Sequence, residues 1–422
     1  MGLVIDMDQH LCERPNMWSE YCDPDKRHLA VKIEPDERGY WWVTVPPSGQ
    51  RLYFRGISRP GDGFASYGEL YDRYATGQLS NVNYSTDLPE DYWNPSARVA
   101  KLDEWGIDVA LIIPEVELVF ARGIPKSRVD IMRANMEAWN RWAVEVRQEG
   151  KGRLEPLGHV TLRGGDLSWL EGQLEYLAQH GVRAATFSYG LVDGRRPSHP
   201  DHDRAWAAFV ANGITPVFHV EDADERASGL ANEWWEHDDD PRFSLLDIAF
   251  SNVGIQVTIA DMIFNGVFDR FPDLKIGCAE LSATWIPYLL GAGKKPVDGN
   301  APAGTGATST LGSGELLSPN GADLDSAYTF RLAAHGSALW DLKKMPSDYL
   351  RQHIRTAATS REPMAKYFEW GMGEMLMFGG DYPHAEGLLE PLSDYCAGLV
   401  DLTDDQRETI LGRNAADLLG VS

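Results

Sequence analysis

The chain has 422 residues, 43% hydrophobic, 24% charged and 10% aromatic; this ordinary globular composition excludes global disorder and suits one large α/β unit or two average domains. Its formal net charge of −24 repels phosphate backbones and argues against a nucleic-acid partner, and no stretch approaches the ~20 apolar residues of a membrane span. The opening MGLVIDMDQH has neither a basic region nor a cleavable apolar run, and Cys12, Cys22, Cys278 and Cys396 form no Cys-x-x-Cys pair, so the chain reads as a cytoplasmic protein with reduced thiols.

Eight short apolar runs recur along the chain, most of them followed by a helical pattern. The first is LVIDMDQH, around Val4 and Ile5. An insertion at about 16–98 follows, rich in Trp, Tyr, Pro and Gly. We expect it to fold over the mouth of the main unit, with Trp41, Trp42, Tyr67 and Tyr71 either lining a pocket for a bulky apolar substrate or simply packing. The second run, DVALIIPEV from Asp108, precedes a helix running from Arg128 to Gly150. The third, LEPLGHVTL from Leu154, leads to a helix that starts at a capping Asp166 and stops at Gly181. VRAATFSY from Val182 is the fourth, and a helix from His202 to Gly213 leads to the fifth, ITPVFHV from Ile214. LKIGCAEL from Leu274 is the sixth. A second insertion, about 291–345, starts with a Gly-, Ala-, Ser- and Thr-biased stretch that reads as a flexible loop or lid. The seventh run is weaker, within YLRQHIRTAA from Tyr349; after a helix from Arg361 the eighth is MLMFGGDYPH from Met375.

Near-continuous apolar runs suit strands buried on both faces, as in parallel sheets. Eight of them alternating with helices predict a single (β/α)8 TIM barrel over residues 1–422, in preference to an open doubly wound sheet. Such barrels reach above ~400 residues with insertions.

A barrel of this kind carries its active site at the C-terminal ends of its strands. Here those ends are polar: Asp6, Asp8 and His10 after the first run, His219 after the fifth, Glu280 after the sixth, and Asp381 and His384 after the eighth. The two-residue spacing puts Asp8 and His10 on one face, with Asp6 beside them. That alternation predicts the polar set inside the barrel, with Ile5 and Met7 turned toward the helices. Each residue alone has a plainer reading: a chance Asp-x-His, a core histidine at 219, a helix-start carboxylate at 280, a turn at 381. Together they suggest a shared divalent cation, because buried carboxylates grouped without one are costly. The mixed imidazole and carboxylate set, Asp8, His10, His219 and Asp381, suits zinc first, or manganese or iron, as one or two ions.

These residues lie in segments that resemble the amidohydrolase superfamily, in the branch that holds aminocarboxymuconate-semialdehyde decarboxylase and related aromatic-acid decarboxylases. The segments are VIDMDQHLCERPNMW, NPSARVAKLDEWGIDVALIIP from Asn94, DHDRAWAAFVANGITPVFHV from Asp201, FDRFPDLKIGCAELSATWIPYLL from Phe268, MLMFGGDYPHAEG from Met375 and ILGRNAADLLGV from Ile410. The resemblance implies that Asp8-Gln9-His10 takes the place of a strand-one His-x-His or Glu-x-His, with His219 and Asp381 as the remaining metal residues. Family decarboxylases commonly carry a strand-six histidine where this chain has Glu280. The resemblance also implies a homodimer.

The expected activity is metal-dependent hydrolysis of an amide, ester, lactone or thioester in a small-molecule substrate, with Asp381 taking the proton of a metal-activated water. Glu280 and His384 are further acid–base candidates. The alternative is non-oxidative decarboxylation of an aromatic or unsaturated acid. For that reaction Arg355, at the end of the seventh run, is the candidate cation for the substrate carboxylate, a salt bridge being its plainer reading.

Overall fold

The computed structural model describes residues 2–37, 41–53, 83–116, 124–220, 250, 252–292, 323–335, 342–384 and 387–421. The strands in chain order are β1 (Ile5–Leu11), β2 (Lys32–Pro35), β3 (Trp41–Val45), β4 (Gln50–Tyr53), β5 (Val109–Pro114), β6 (Leu154–His159), β7 (Ala184–Thr186), β8 (Thr215–His219), β9 (Ile276–Ala279), β10 (Ile354–Ala358) and β11 (Leu376–Phe378). Eight of them form one parallel sheet in the order β1-β5-β6-β7-β8-β9-β10-β11. Main-chain bonds from His10 N to Tyr382 O (2.7 Å) and from Asp381 N to Asp8 O (2.6 Å) bring its two ends together. The eight runs read from the sequence are these eight strands, in a (β/α)8 barrel.

Two layers of apolar side chains follow from the pleat. Ile5, Met7, Leu111, Leu157, Val217 and Met377 belong to a cluster inside the barrel. At its floor, Ala415 and Leu418 of the helix Asn414–Leu419 join the same cluster. The larger cluster lies between the strands and the outer helices. The helix Val129–Glu149 shows how sequence sets that packing: Trp139 buries its ring and donates from Nε1 to Leu157 O at 2.8 Å, tying the helix to β6. The helix Leu167–Gln179 is capped by Asp166, which accepts from Ser168 N at 3.1 Å. Gly213 ends the helix Asp203–Asn212 at φ 63°, a left-handed conformation that glycine adopts without strain.

The described part of the first insertion holds the antiparallel sheet β2-β3-β4. Buried Asn135 attaches it to the helix Val129–Glu149, accepting from Val31 N at 2.9 Å and donating to Leu29 O at 2.9 Å. Trp41 packs near buried Tyr84, ring centroids 6.0 Å apart, and Trp42 donates to Asp36 at 3.2 Å. Further on, Tyr92 O accepts from Cys12 N at 2.8 Å, which lays this segment against the C-terminal end of β1. Tyr67, Tyr71 and most of the expected 291–345 loop lie outside the described residues. Among the described residues no helix is long and apolar enough to cross a membrane.

Candidate metal centre

β1 delivers its two site residues by a local irregularity. Its register with β5 runs Ile5↔Val109 and Asp6↔Ala110, then resumes at Gln9↔Ile112, so β1 carries one extra residue. Such a bulge resets which side chains face in. Ile5 and Met7 lie in the inner cluster, and Asp8 and His10 join the inner face beyond the bulge. The alternation expected from the sequence, with Ile5 and Met7 outward and Asp6 grouped with Asp8, is therefore corrected. Asp6 instead clamps the closing edge of the barrel. Its Oδ1 accepts from Gly380 N (2.8 Å) and Asp8 N (3.1 Å), and its Oδ2 from Gln9 Nε2 (2.9 Å). Burial nonetheless pushes its carboxyl up to about 7.

The remaining residues arrive as the strand ends predict. His219 closes β8, Glu280 follows β9, and Asp381 and His384 follow β11. Glu280 (φ 51°) and Asp381 (φ 54°) both adopt left-handed backbone, a strain on the order of 1–3 kcal/mol each that clusters at functional sites.

His10 Nδ1 lies 3.1 Å from Pro114 O. A carbonyl only accepts, so Nδ1 carries a hydrogen, and in the neutral ring Nε2 keeps its lone pair for an ion; burial would lower this imidazole, but without an ion Asp381 and Asp8 push it up to about 9. That Nε2 is 3.5 Å from Asp381 Oδ1 and 3.7 Å from Asp8 Oδ1. His219 Nε2 is 3.0 Å from Glu280 Oε2. His384 lies between two carboxylates: Nε2 is hydrogen-bonded to Glu115 Oε2 at 2.6 Å, and Nδ1 makes an off-axis contact of 2.6 Å with Asp381 Oδ1. Its ring lies 4.0 Å from that of His10, centroid to centroid.

The electrostatics show what the cluster lacks. Burial raises the Asp8 carboxyl, and the charges of Asp381 and Glu280 raise it further. Burial also acts to raise Asp381, but His384 and His10 outweigh it and hold the group well below the usual carboxylate range. Burial would lower His384, yet Asp381 and Glu115 drive it well above the ordinary imidazole value.

The donor set fits a divalent cation. Asp8 Oδ1, His10 Nε2 and Asp381 Oδ1 are buried without a hydrogen bond of acceptable geometry. Ligands ~2.1 Å from one ion stand ~3.0–3.4 Å apart, and the observed 3.5 and 3.7 Å are close to this. Asp8, His10 and His219 form one compact group; His10, Glu280, Asp381 and His384 form another that shares His10. Six of the seven residues singled out near the strand ends are thus brought together, Asp6 being the exception.

Arg355 is not among them. It is the second residue of β10, at the opposite end of that strand from the site. Its guanidinium donates to Arg351 O (3.0 Å) and Ile354 O (3.0 Å) and lies 3.4 Å from Asp417 of the floor helix. The sequence misplaces it because Pro346–His353 is helix, so the strand starts late in the seventh run. Glu115 is the residue that sequence reading missed. The available signal was its position: a carboxylate two residues beyond buried Ile113, at the C-terminal end of a barrel strand.

An eight-stranded parallel barrel with imidazoles and carboxylates gathered at its C-terminal mouth is the layout that suits a metal-dependent barrel enzyme. The amidohydrolase family model matches residues 5–305 and 322–421, and the chain belongs to that family. No curated protein matches the sequence. Among solved structures, an amidohydrolase from Mycobacterium avium subsp. paratuberculosis is 22% identical over 99% of each chain, with a TM-score of 0.74. A 5-carboxyvanillate decarboxylase from Novosphingobium aromaticivorans, with bound manganese, is 16% identical over 99% of this chain and 97% of its own, at 0.60. A dihydroxybenzoic acid decarboxylase from Polaromonas, also with manganese, is 12% identical over 100% and 97%, at 0.55. At these identities the likeness is one of fold.

Proposed function

We propose that the protein is a metal-dependent carboxy-lyase that removes carbon dioxide from a small aromatic or unsaturated carboxylic acid. The observation that carries this reading is the full-length likeness to decarboxylases holding manganese, joined to a site whose donor atoms suit such an ion. It reverses the order of preference that the sequence alone suggests.

A divalent ion held by Asp8, His10, His219 and Asp381 would act as a Lewis acid on the substrate's oxygens. Loss of carbon dioxide breaks a carbon–carbon bond, leaves the electron pair on the substrate carbon and requires a proton there. The imidazolium of His384, whose Nδ1 lies 2.6 Å from Asp381 Oδ1, is the candidate proton donor. Glu280, whose Oε2 lies 3.0 Å from His219 Nε2, is close enough to the ion's ligands to act as a further acid–base group.

Hydrolysis of a neutral carbonyl compound is the second reading, favoured by the acidity of the site. Asp8, Glu115, Glu280 and Asp381 already place four carboxylates there, and a neutral substrate adds no further negative charge.

The test is to load the protein with manganese or zinc and offer it hydroxylated aromatic acids beside esters and lactones. Carbon dioxide release, abolished by chelator and restored by metal, supports the lyase. A new carboxylate without carbon dioxide supports the hydrolase. Activity that survives complete metal removal would sink both.

A further inference from the structure

Glu115 belongs to no motif and is not among the four residues assigned above to the ion. Its side chain is nevertheless only 8% exposed, and it grips His384 Nε2 at 2.6 Å. The other side of that ring meets Asp381 Oδ1 at 2.6 Å. Three side chains from two separate strand ends thus form a line that terminates on the candidate ligand set.

The base of the line is also held. The backbone N–H groups of Glu115 and Val116 donate to buried Glu13, at 3.2 and 2.9 Å. One residue earlier, Pro114 O fixes the His10 ring through Nδ1 at 3.1 Å. The tip of β5 therefore orients two imidazoles at once, one by a main-chain carbonyl and one by a carboxylate. Glu115 lies 3.7 Å from His10 Nδ1, too far for a hydrogen bond, so its direct grip is on His384.

We propose that Glu115 is a positioning residue of the metal centre: it fixes the His384 ring, and through it the Asp381 carboxylate, without touching ion or substrate. The inference rests on the metal-centre reading and holds for either reaction. A ligand carboxylate pinned before the ion arrives loses less freedom on binding, and partners of this kind are worth about 10–100-fold in metal affinity. Glutamine has the same shape as glutamate but forfeits the charge-assisted bond.

The experiment compares full-length wild type, E115Q, H384A and the double variant. Zn²⁺ affinity is read by chelator competition, and site geometry by the visible spectrum of bound Co²⁺. E115Q is expected to weaken Zn²⁺ binding by about 10–100-fold and to shift the Co²⁺ bands. H384A is expected to reproduce the penalty, and E115Q to add little once His384 is gone, because Glu115 acts through that ring. A purely structural role would not produce this coupling. Should E115Q fail to fold, H384A alone carries the affinity test. The proposal is overturned if E115Q or H384A binds both ions as wild type does, or if the two penalties simply add. Wild-type protein that binds neither ion would overturn the metal-centre reading itself, and the proposal with it.

Discussion

Gly380→Ala is the substitution that tests the closing edge of the barrel most sharply. A Cβ at this position would stand 2.6 Å from Asp6 Oδ2 and 3.0 Å from Pro391 Cβ. Gly380 does not need left-handed backbone, so the cost is one of space. Asp6 cannot retreat freely, since Gly380 N, Asp8 N and Gln9 Nε2 all donate to it. Moving the carboxylate by several tenths of an ångström breaks or lengthens one or two of these bonds, each worth about 1.5–3 kcal/mol to a charged group. Overpacking adds about 1–3 kcal/mol. We expect a net loss of about 2–5 kcal/mol, because relieving a desolvated carboxylate offsets part of the sum. Urea unfolding of the metal-free protein reads it, with Gly172→Ala as the control. Gly172 lies within the helix Leu167–Gln179 with nothing within 4 Å of its would-be Cβ, so alanine there should stabilise by about 0.5–1 kcal/mol. If Gly380→Ala unfolds at the wild-type urea concentration, the packing of Asp6 against the end of β11 is wrong.

Three further outcomes are expected. Asp8→Asn should raise the melting temperature of the metal-free protein, because Asp8 is buried against the charges of Asp381 and Glu280, and should abolish the further rise on adding Zn²⁺; a lower metal-free melting temperature would contradict the repulsion argument. Arg355→Ala should leave substrate KM and metal affinity unchanged and cost about 1–3 kcal/mol of stability, since its partners are main-chain carbonyls and Asp417 at the barrel floor. A raised KM would return Arg355 to the site. Burial lowers the His353 pKa, its ring stacked on Phe268 at 4.4 Å and Nδ1 bonded to Leu274 O at 2.7 Å. A depressed folded-state value means that its stabilising share is complete above the unfolded value of about 6.5 and is lost as pH falls below it. Melting curves between pH 7.5 and 5.5 should therefore fall less steeply for His353→Gln than for wild type.

The strand order was legible because all eight strands are buried on both faces, which writes an apolar run into the sequence. The site was legible because strand ends can be located from those runs, and His219, Glu280 and Asp381 sit at them. Two things were hidden for physical reasons. Strict alternation cannot register an inserted residue, so the bulge between Asp6 and Gln9 inverted the facing of β1 while leaving Asp8 and His10 correctly paired. Glu115 was hidden because its partner, His384, lies 269 residues away, and no local pattern marks such a pair. Arg355 failed for a third reason: a helix and a strand share one short run, and periodicity did not divide them.

The hydrogen bonds between Asp381 N and Asp8 O and between His10 N and Tyr382 O make one seam do two tasks. Three residues whose side chains converge on the candidate ion, Asp8, His10 and Asp381, also lend their main chain to the seam that closes the barrel. Occupancy and closure must then report on each other. An ion at 100 times its dissociation constant would add about 2.7 kcal/mol against opening of the seam, enough to slow amide exchange at His10 and Asp381 by about 100-fold. Stripping the ion would let the staves part at this one join, and the amides there would record the vacancy before any catalytic assay did.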